Sequence, residues 1–408
     1  MRIAQLAPPL EKVPPAAYGG TERVIHTLTE ELVRRGHQVT LFASGDSETS
    51  AHLVPVCEQA LWRRQGAYRD LISAWSVAVG KAQRHLGEFD VVHSHLDHFG
   101  FSLARLPGPP VITTLHGRLD LPELQLVYDE FNEVPLVSIS NAQRRPVAWA
   151  NFVATVYHGI DLQDFSFNPT PGDYLAYLGR LSPEKGLHAA IAIARKAGVP
   201  LKVAARMPLP FRDDPNVRAD WDYWEQVIRP LLGSDVEVVG EVSGTQKSDF
   251  LRHAAALVFP IQWPEPFGLV LAEALACGTP VLALRQGSVP EVIRDEITGF
   301  IGDTEDDLVR AVDQLGTIDR STCRQEAERR FAPATMAEAY ERVYERLIQT
   351  SSTATMFDWG RVSDMRERHA VPVRQPVRPK EEDMAELRTV HTSGTQQAGL
   401  AGHPTAAP

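Results

Sequence analysis

Residues 256–284 read ALVFPIQWPEPFGLVLAEALACGTPVLAL, a stretch that begins and ends with a short apolar run. The runs ALVFP and PVLAL have the length and residue types of buried strands, and the segment between them is long enough for a helix. A strand, a helix and a second strand in this order form a β-α-β unit, whose strands lie parallel in one sheet. This stretch therefore predicts a parallel sheet covered by helices.

The same alternation extends over most of the chain. Before about residue 160 the candidate strands are RIAQLA, QVTLFAS, DVVHSH, PVITTLH, PLVSIS and FVATVYH. After the turn-rich stretch DLQDFSFNPTPGD, a second series consists of YLAYLGR, LKVAAR, VEVVG, ALVFP, PVLAL and GFIG. Because 408 residues are enough for two ordinary domains, we predict two α/β domains, residues 1–165 and 171–332, joined near Pro169.

The helix between the first two strands shows the clearest local pattern. Val24, Leu28 and Leu32 recur at helical spacing and predict one buried face. Thr21 is the expected N-cap, and Gly36 stands where a glycine commonly ends a helix.

The end of the chain divides into a helix and a tail. FAPATMAEAYERVYERLI predicts an amphipathic helix over residues 333–350, packing back toward the first domain, with Met336, Tyr340, Val343 and Leu347 on one side. Residues 351–408 have little apolar periodicity and many Pro, Ser, Thr and Gly residues, which predicts a mostly disordered tail.

Composition excludes several classes of protein. The chain is 43% hydrophobic and 23% charged, with a net charge of −11, so a general attraction to nucleic acid or to an anionic membrane is not expected. No window reaches the roughly 18 apolar residues of a membrane helix, and no signal peptide is apparent, so we expect a cytoplasmic protein. The three cysteines form no CxxC pair, which argues against disulfides and a zinc knuckle.

The opening stretch places two carboxylates around the start of a helix. Glu265 is expected just outside the helix and Glu273 about one and a half turns inside it, with Pro266 fixing the first turn. The expected free donors of that turn are the amides of Phe267, Gly268 and Leu269. Carboxylates at the two ends of an anion-binding helix start suit an elongated ligand with hydroxyl groups at both ends and a diphosphate between them. A nucleotide sugar has this shape.

Residues at the ends of other strands could complete such a site, since ligands of parallel sheets bind there. Gly19 and Gly20 let the backbone approach an anion before the first helix, and His116 follows the strand PVITTL. Arg180 and Lys185 flank a Ser-Pro turn before another helix, where two cations could neutralise a diphosphate. Each of these residues alone also has a purely structural interpretation, as a turn glycine, a buried histidine or a surface charge.

Two further groups invite a metal-site interpretation. VVHSHLDH contains His93, His95, Asp97 and His98, and strand alternation puts His93 and His95 on one face. Asp220 and Asp222 in RADWDYW resemble a DxD motif, but the surrounding pattern is helical. In both places we favour a structural role over a metal site.

The ordered motifs together resemble family 4 of the retaining glycosyltransferases, over roughly residues 1–350. The most specific element is the E-x7-E pattern from Glu265 to Glu273, and GSVPEVI, TGFIGD, GRLSPEKG and YGGTERV also match. The resemblance implies the GT-B fold, in which two facing Rossmann-like, doubly wound domains enclose a cleft. The first domain would lie on the acceptor side, and the second would bind the nucleotide sugar.

The resemblance also implies roles for individual residues. Arg180 and Lys185 would hold the diphosphate leaving group, Glu273 the ribose, and Glu265 the hydroxyls of the donor sugar. His116 would lie near the reacting centre. The remaining donor contacts would come from Gly19, Gly20, Phe267, Gly268, Leu269 and the loop at Gly240.

The reaction expected from the resemblance is metal-independent transfer of a hexose with retention of configuration, without a cofactor other than the nucleotide-sugar donor. UDP-glucose is the preferred donor and GDP-mannose the next, whereas the acceptor and the oligomeric state do not follow from the sequence. Trp62, Arg63, Arg64 and Tyr68 either face the acceptor or pack against the next helix. The alternatives are a catalytically silent sugar-nucleotide binding module, and a glycoside phosphorylase or epimerase with the same fold.

Overall fold

The computed structural model describes residues 1–17, 19–61, 72–208 and 215–355. The first of its two parallel sheets has seven strands in the order β3-β2-β1-β4-β5-β6-β7. Its strands are β1 (Arg2–Leu6), β2 (Gln38–Ser44), β3 (His52–Cys57), β4 (Val91–Ser94), β5 (Val111–Thr114), β6 (Leu136–Ser138) and β7 (Phe152–Thr155). The strand order reverses direction beside β1, which marks a doubly wound sheet.

The second sheet has six parallel strands in the order β10-β9-β8-β11-β12-β13. Its strands are β8 (Leu175–Arg180), β9 (Leu201–Arg206), β10 (Val236–Gly240), β11 (Ala256–Phe259), β12 (Val281–Leu284) and β13 (Gly299–Gly302). All six predicted strands of the second series are present, and the predicted class of two Rossmann-like α/β domains is confirmed.

Helices connect the strands and cover the sheets. They are α1 (Gly20–Arg34), α2 (Ile72–His85), α3 (Pro122–Glu130), α4 (Asn141–Arg144), α5 (Leu187–Ala197), α6 (Pro215–Tyr223), α7 (Gly244–Arg252), α8 (Leu269–Ala276), α9 (Val289–Val292), α10 (Glu305–Val312), α11 (Arg320–Arg330) and α12 (Pro333–Thr355). No helix in the described ranges is both long and apolar enough to cross a membrane.

One strand of the first sheet, β3, is not among those predicted from the sequence. Strand β3 contains Pro55, which cannot donate a backbone hydrogen bond and argues against a central strand. The structure resolves the conflict by placing β3 at the edge of the sheet, where it pairs only with β2. An edge strand tolerates proline because one side of its backbone has no partner strand.

The start of helix α1 differs from the prediction. Thr21 lies inside the helix, which begins at Gly20 with Gly19 as its N-cap and with no side-chain hydrogen bond to the cap. Gly19 has φ +150°, and a Cβ atom there would lie 2.7 Å from the Pro15 side chain. Only glycine fits this turn, so the backbone rather than a threonine side chain determines where α1 begins.

The start of helix α8 is also corrected. The helix begins at Leu269, three residues after Pro266, because Gly268 has φ +77° and interrupts the helical path. The first-turn amides are therefore those of Leu269 and Val270, whereas the amide of Phe267 precedes the helix. Glu273 consequently lies about one turn inside the helix, closer to its start than predicted.

Helix α12 packs against the first sheet, although it follows the second domain in sequence. Met336, Tyr340, Val343 and Tyr344 are buried in one cluster with Ile3 and other core residues of the first domain. The helix is five residues longer than predicted, because residues 351–355 are helical. The rest of the tail, 356–408, lies outside the described residues, as do Trp62, Arg63, Arg64 and Tyr68.

A carboxylate of the second domain also caps a helix of the first. Glu291 accepts hydrogen bonds from the backbone amides of Asn141 and Ala142 at 2.8 and 2.7 Å, and from Tyr157 Oη at 3.0 Å. A carboxylate at a helix N-terminus accepts from unpaired amides and interacts favourably with the helix dipole. This contact links α9 to the start of α4.

Candidate functional site

A cleft of about 510 Å³ lies between the carboxyl ends of the strands of the two sheets. This is where parallel sheets bind ligands. Ten of the eleven predicted site residues line it, namely Gly19, Gly20, His116, Arg180, Lys185, Glu265, Phe267, Gly268, Leu269 and Glu273. His116 of the first domain and Glu273 of helix α8 are 157 positions apart in the sequence, and both line this cleft.

The N-termini of helices α1 and α8 lie close together at the cleft. A Cβ atom on Gly20, the first residue of α1, would lie 3.2 Å from Leu269 Cδ1, the first residue of α8. The unpaired amides and the positive dipole ends of both helices therefore lie at the same place. An anion at this point would interact favourably with the N-termini of both helices.

Glu265 is held by a lysine and an indole. Its Oε2 atom accepts from Lys185 Nζ at 2.6 Å and from Trp263 Nε1 at 3.0 Å. The Trp263 ring also lies 5.1 Å from Lys185 Nζ and 5.6 Å from the Arg118 guanidinium of the first domain. A Cβ atom on Gly287 would lie 2.3 Å from the Glu265 carbonyl oxygen, so this glycine lets a neighbouring loop fix the Glu265 backbone.

Glu273 forms the second lysine pair of the cleft. It is 4% exposed, and one of its oxygens accepts from Lys247 Nζ on helix α7. Lys247 was not predicted as a site residue, although it lies seven residues after Gly240 of the predicted loop. The sequence feature that could have identified it is its position in the first turn of a helix that follows strand β10.

Arg180 lies at the end of β8 with its side chain exposed to the cleft. Its guanidinium donates to Glu184 Oε1 at 2.6 Å and to Ser182 Oγ at 3.4 Å. Arg180 and Lys185 are therefore both paired with carboxylates. An anion that binds to either side chain would therefore replace a carboxylate that is already paired with it.

His116 is held in a neutral form at the first-domain side of the cleft. Burial lowers its pKa to about 3, so the imidazole is uncharged at neutral pH. Its Nε2 atom lies 2.8 Å from His95 Nδ1, and its ring stacks on His158 with centroids 5.2 Å apart. Its backbone amide donates to the carboxylate of Asp97. A neutral imidazole here can donate and accept hydrogen bonds but carries no charge.

The loop that follows β10 contributes to the cleft through residues next to Gly240. Gly240 does not line the cleft, whereas the next two residues, Glu241 and Val242, do. Gly240 has φ +85° and a register shift interrupts the strand just before it, so the chain turns and presents the following residues to the cleft. The stretch LKVAAR contributes Ala204 and Arg206 to the same wall.

The structure gives the candidate metal ligands other partners. His93 Nδ1 lies 2.7 Å from Tyr344 Oη and His93 Nε2 lies 2.7 Å from Thr114 Oγ1, so both ring nitrogens are used. Asp220 and Asp222 lie within helix α6. Across the described ranges, no group of three or more His, Cys, Asp or Glu side chains is arranged to hold a metal ion.

Several cleft residues were not predicted as site residues. They are Glu22, Arg23, Trp75, His95, Asp97, His158, Lys247 and Trp263. Glu22 is 6% exposed in the first turn of α1, and burial raises its pKa to about 7. Asp97 has φ +48°, which is strained for a residue other than glycine and is common at functional sites.

Comparison with known families and proteins places the chain among glycosyltransferases. Residues 18–164 match the family described as Glycosyltransferase Family 4, and residues 225–330 match that described as Glycosyl transferases group 1. The two matches fall on the first and second domains respectively.

Individual relatives cover most of the chain. A D-inositol 3-phosphate glycosyltransferase of Mycolicibacterium smegmatis is 27% identical over 87% of this chain and 89% of its own. A glycogen synthase of Mycobacterium tuberculosis is 25% identical over 70% of this chain and 79% of its own. The crystal structure of AviGT4, a glycosyltransferase of avilamycin A biosynthesis, superposes with a TM-score of 0.64 at 25% identity, covering 86% of this chain and 98% of its own.

Proposed function

Because the chain belongs to the family 4 glycosyltransferases and has their GT-B fold, we propose that it transfers a hexose from a nucleotide-diphosphate sugar to a hydroxyl group of an acceptor. The observation that carries this proposal is the meeting of two helix N-termini, two lysine–carboxylate pairs and an arginine in one cleft.

The donor diphosphate would lie where α1 and α8 begin. Two positive helix ends and the side chains of Arg180 and Lys185 would there face its negative charge. The leaving group gains charge as the bond to the sugar breaks, and each fixed donor aimed at it lowers the barrier by about 3 kcal/mol. These groups can stabilise the leaving group without a metal ion, so we propose that the reaction does not require one.

The two glutamates would hold the two ends of the donor. Glu273 is buried one turn inside α8 and would accept hydrogen bonds from ribose hydroxyls, with Lys247 holding its carboxylate in place. Glu265 lies on the other side of Gly268 and would accept from hydroxyls of the transferred sugar. His116 would contact that sugar from the first domain.

We propose that transfer retains the configuration at the anomeric carbon. The bond between this carbon and the phosphate oxygen breaks with its electron pair passing to the diphosphate. The acceptor oxygen forms a bond to the same face of the carbon, and its proton passes to the departing phosphate oxygen. The phosphate therefore serves as the base in this scheme, which assigns no side chain as nucleophile.

The donor proposed for the first test is UDP-glucose, with GDP-mannose as the second choice, both from the family resemblance. The acceptor would enter from the first-domain wall, where Trp75 and Asp97 line the cleft. An aromatic ring and a carboxylate are groups that can contact the face and the hydroxyls of a sugar.

A thermal-shift screen against UDP, GDP, ADP and TDP and their hexose conjugates tests the donor site, because a ligand that binds only the folded protein raises its Tm. A selective shift with one nucleotide would support the proposal, and the absence of any shift at millimolar ligand would contradict it. Incubation of the shifting donor with an acceptor library, with inorganic phosphate and with neither then separates a transferase from a phosphorylase and from a silent binding module. NMR of the product's anomeric proton tests retention.

A further inference from the structure

A chain of buried hydrogen bonds runs from His116 into the first domain. His116 Nε2 lies 2.8 Å from His95 Nδ1, and His95 Nε2 lies 2.8 Å from Gln5 Oε1. Gln5 Nε2 donates to Tyr344 Oη at 3.3 Å. Gln5 and His95 are at most 1% exposed, so water does not compete for these contacts.

The chemistry of these atoms determines which atom donates and which accepts in each of these hydrogen bonds. The amide oxygen of Gln5 only accepts, so His95 Nε2 carries a proton and donates it. Burial lowers the pKa of His95 well below its ordinary value, so the ring is neutral and its Nδ1 atom must accept. The donor to that atom is His116 Nε2. Because His116 is also neutral, its Nδ1 atom has no proton and can only accept.

The same chain continues on the other side of Gln5. Tyr344 Oη accepts from Gln5 and donates to His93 Nδ1, so His93 Nε2 carries the proton and donates to Thr114 Oγ1. Thr114 Oγ1 in turn lies 2.9 Å from Tyr340 Oη. The buried amide of Gln5 therefore sets the direction of hydrogen bonding in both branches.

We infer that Gln5 and His95 are positioning residues that hold His116 in the tautomer with its proton on Nε2, so that its Nδ1 atom accepts a hydrogen bond from a substrate hydroxyl. Nδ1 of His116 is buried and has no hydrogen-bond partner within the described ranges, although the residue lines the cleft. A buried acceptor without a partner is rare and needs an explanation. The identity of the ligand rests on the proposed function, because a sugar hydroxyl would supply the missing donor.

The role of Gln5 becomes clear when the direction of these hydrogen bonds is reversed. If the Gln5 amide were reversed, its NH₂ group would donate to His95 Nε2, His95 Nδ1 would donate to His116 Nε2, and His116 would carry its proton on Nδ1. His116 would then offer a donor where the observed arrangement offers an acceptor. One amide orientation thus decides what His116 presents to the substrate.

Nitrogen-15 NMR of the full chain with labelled histidine tests this inference without an assay. The chain has 14 histidines, and the spectrum of a His116→Gln variant assigns the signals of His116. We expect a neutral ring with the proton on Nε2 at about pH 7. A ring with its proton on Nδ1, or a doubly protonated ring, would overturn the inference whether or not the protein binds a nucleotide sugar.

A pair of variants tests the role of Gln5. The methionine side chain of Gln5→Met has a similar volume to glutamine but cannot accept the proton of His95 Nε2. Hydrogen bonds through His95 can then run in the reverse direction, so part of the His116 signal should move to the tautomer with its proton on Nδ1. With a transfer assay, kcat should fall roughly tenfold with little change in donor KM, the effect of one lost hydrogen bond. Tyr340→Phe is the matched control, because it removes a buried hydroxyl from the far end of the chain and should leave both the tautomer and kcat unchanged.

The variants also show what would contradict the inference. If Gln5→Met kept the tautomer of His116 fully on Nε2, Gln5 would not determine it. If Tyr340→Phe changed the tautomer as much as Gln5→Met, the effect would be a general loosening of the core. Donor binding measured by thermal shift on the same samples tests the proposed function separately.

Discussion

Lys185 Nζ lies 2.6 Å from Glu265 Oε2, and this ion pair joins two residues that are 80 positions apart in the chain. Both side chains are mostly buried, with 17% and 12% of their surfaces exposed. The lysine that is proposed to hold the diphosphate therefore also orients the carboxylate that is proposed to hold the sugar. Loss of Lys185 should therefore disturb both ends of the donor.

Lys185→Met should lower kcat/KM at least 100-fold, which corresponds to about 3 kcal/mol, the loss of one fixed donor to the leaving group. Steady-state kinetics with the donor found in the screen measures it. The matched control is Lys196→Met, because Lys196 forms an exposed ion pair with Asp306 at 2.8 Å. Solvent screens an exposed pair, so this pair contributes little to stability and nothing to the site. Full activity of Lys185→Met would contradict the diphosphate assignment.

Glu273→Gln should weaken binding of the nucleotide diphosphate roughly tenfold to 100-fold, because a hydrogen bond to a charged group contributes about 1.5–3 kcal/mol. Isothermal titration calorimetry with the nucleotide alone measures this without catalysis. Glu237→Gln serves as the control, since Glu237 pairs with Lys202 at 3.3 Å on the exposed edge strand. Equal affinity of Glu273→Gln and the wild type would mean that Glu273 does not hold the ribose.

His116→Ala and Glu265→Ala should mainly lower turnover, and should leave the affinity for the nucleotide within about threefold of the wild type. Both residues are proposed to contact the transferred sugar rather than the nucleotide. Binding of the free nucleotide and kcat, measured on the same preparations, distinguish the two effects. A variant that loses nucleotide binding together with kcat would place its residue at the diphosphate or the ribose.

Much of the fold follows from the sequence because strand and helix periodicities differ clearly in this chain. The exceptions have local causes. Pro55 argued against a strand at residues 52–57, which is an edge strand in the structure. The positive φ angle of Gly268 makes α8 begin later than predicted, and hydrophobic periodicity does not reveal such an angle. Both depend on backbone conformations that tertiary packing selects.

The candidate site was less predictable where partners come from distant segments. Ten of the predicted residues line the cleft because they follow strands or start helices, and ligands of parallel sheets bind at these positions. Lys247, by contrast, matters through its contact with Glu273, and Gln5 through its contacts with His95 and Tyr344. Pairings across such separations do not follow from local pattern.

A chelator should have little effect on activity, because Arg180, Lys185 and two helix N-termini are proposed to stabilise the leaving group. The assay compares transfer with EDTA, with EDTA followed by excess Mg²⁺, and without either. Strong inhibition by EDTA that Mg²⁺ or Mn²⁺ reverses would contradict the proposal. Variants of His93 and Asp220 would then show which of the two candidate groups holds the ion.

Glu22→Gln should stabilise the protein at about pH 8 and have little effect at about pH 4. Burial raises the pKa of Glu22 from 4.5 to about 7, so the folded state binds its proton more tightly than the unfolded chain does. Stability is therefore lost as the pH rises between these two values, by about 3 kcal/mol. Glutamine carries no such proton, so urea unfolding of Glu22→Gln should lack this loss.

Glu30→Gln on the same helix is the matched control for Glu22→Gln. Burial alone would raise the pKa of Glu30, but hydrogen bonds from Ser50 and Thr49 outweigh it and leave this pKa lowered. The stability that Glu30 contributes is present above its unfolded pKa and is lost as the pH falls, so Glu30→Gln should destabilise the protein at about pH 8. If both variants shifted stability in the same direction at that pH, the proton on Glu22 would not be the cause.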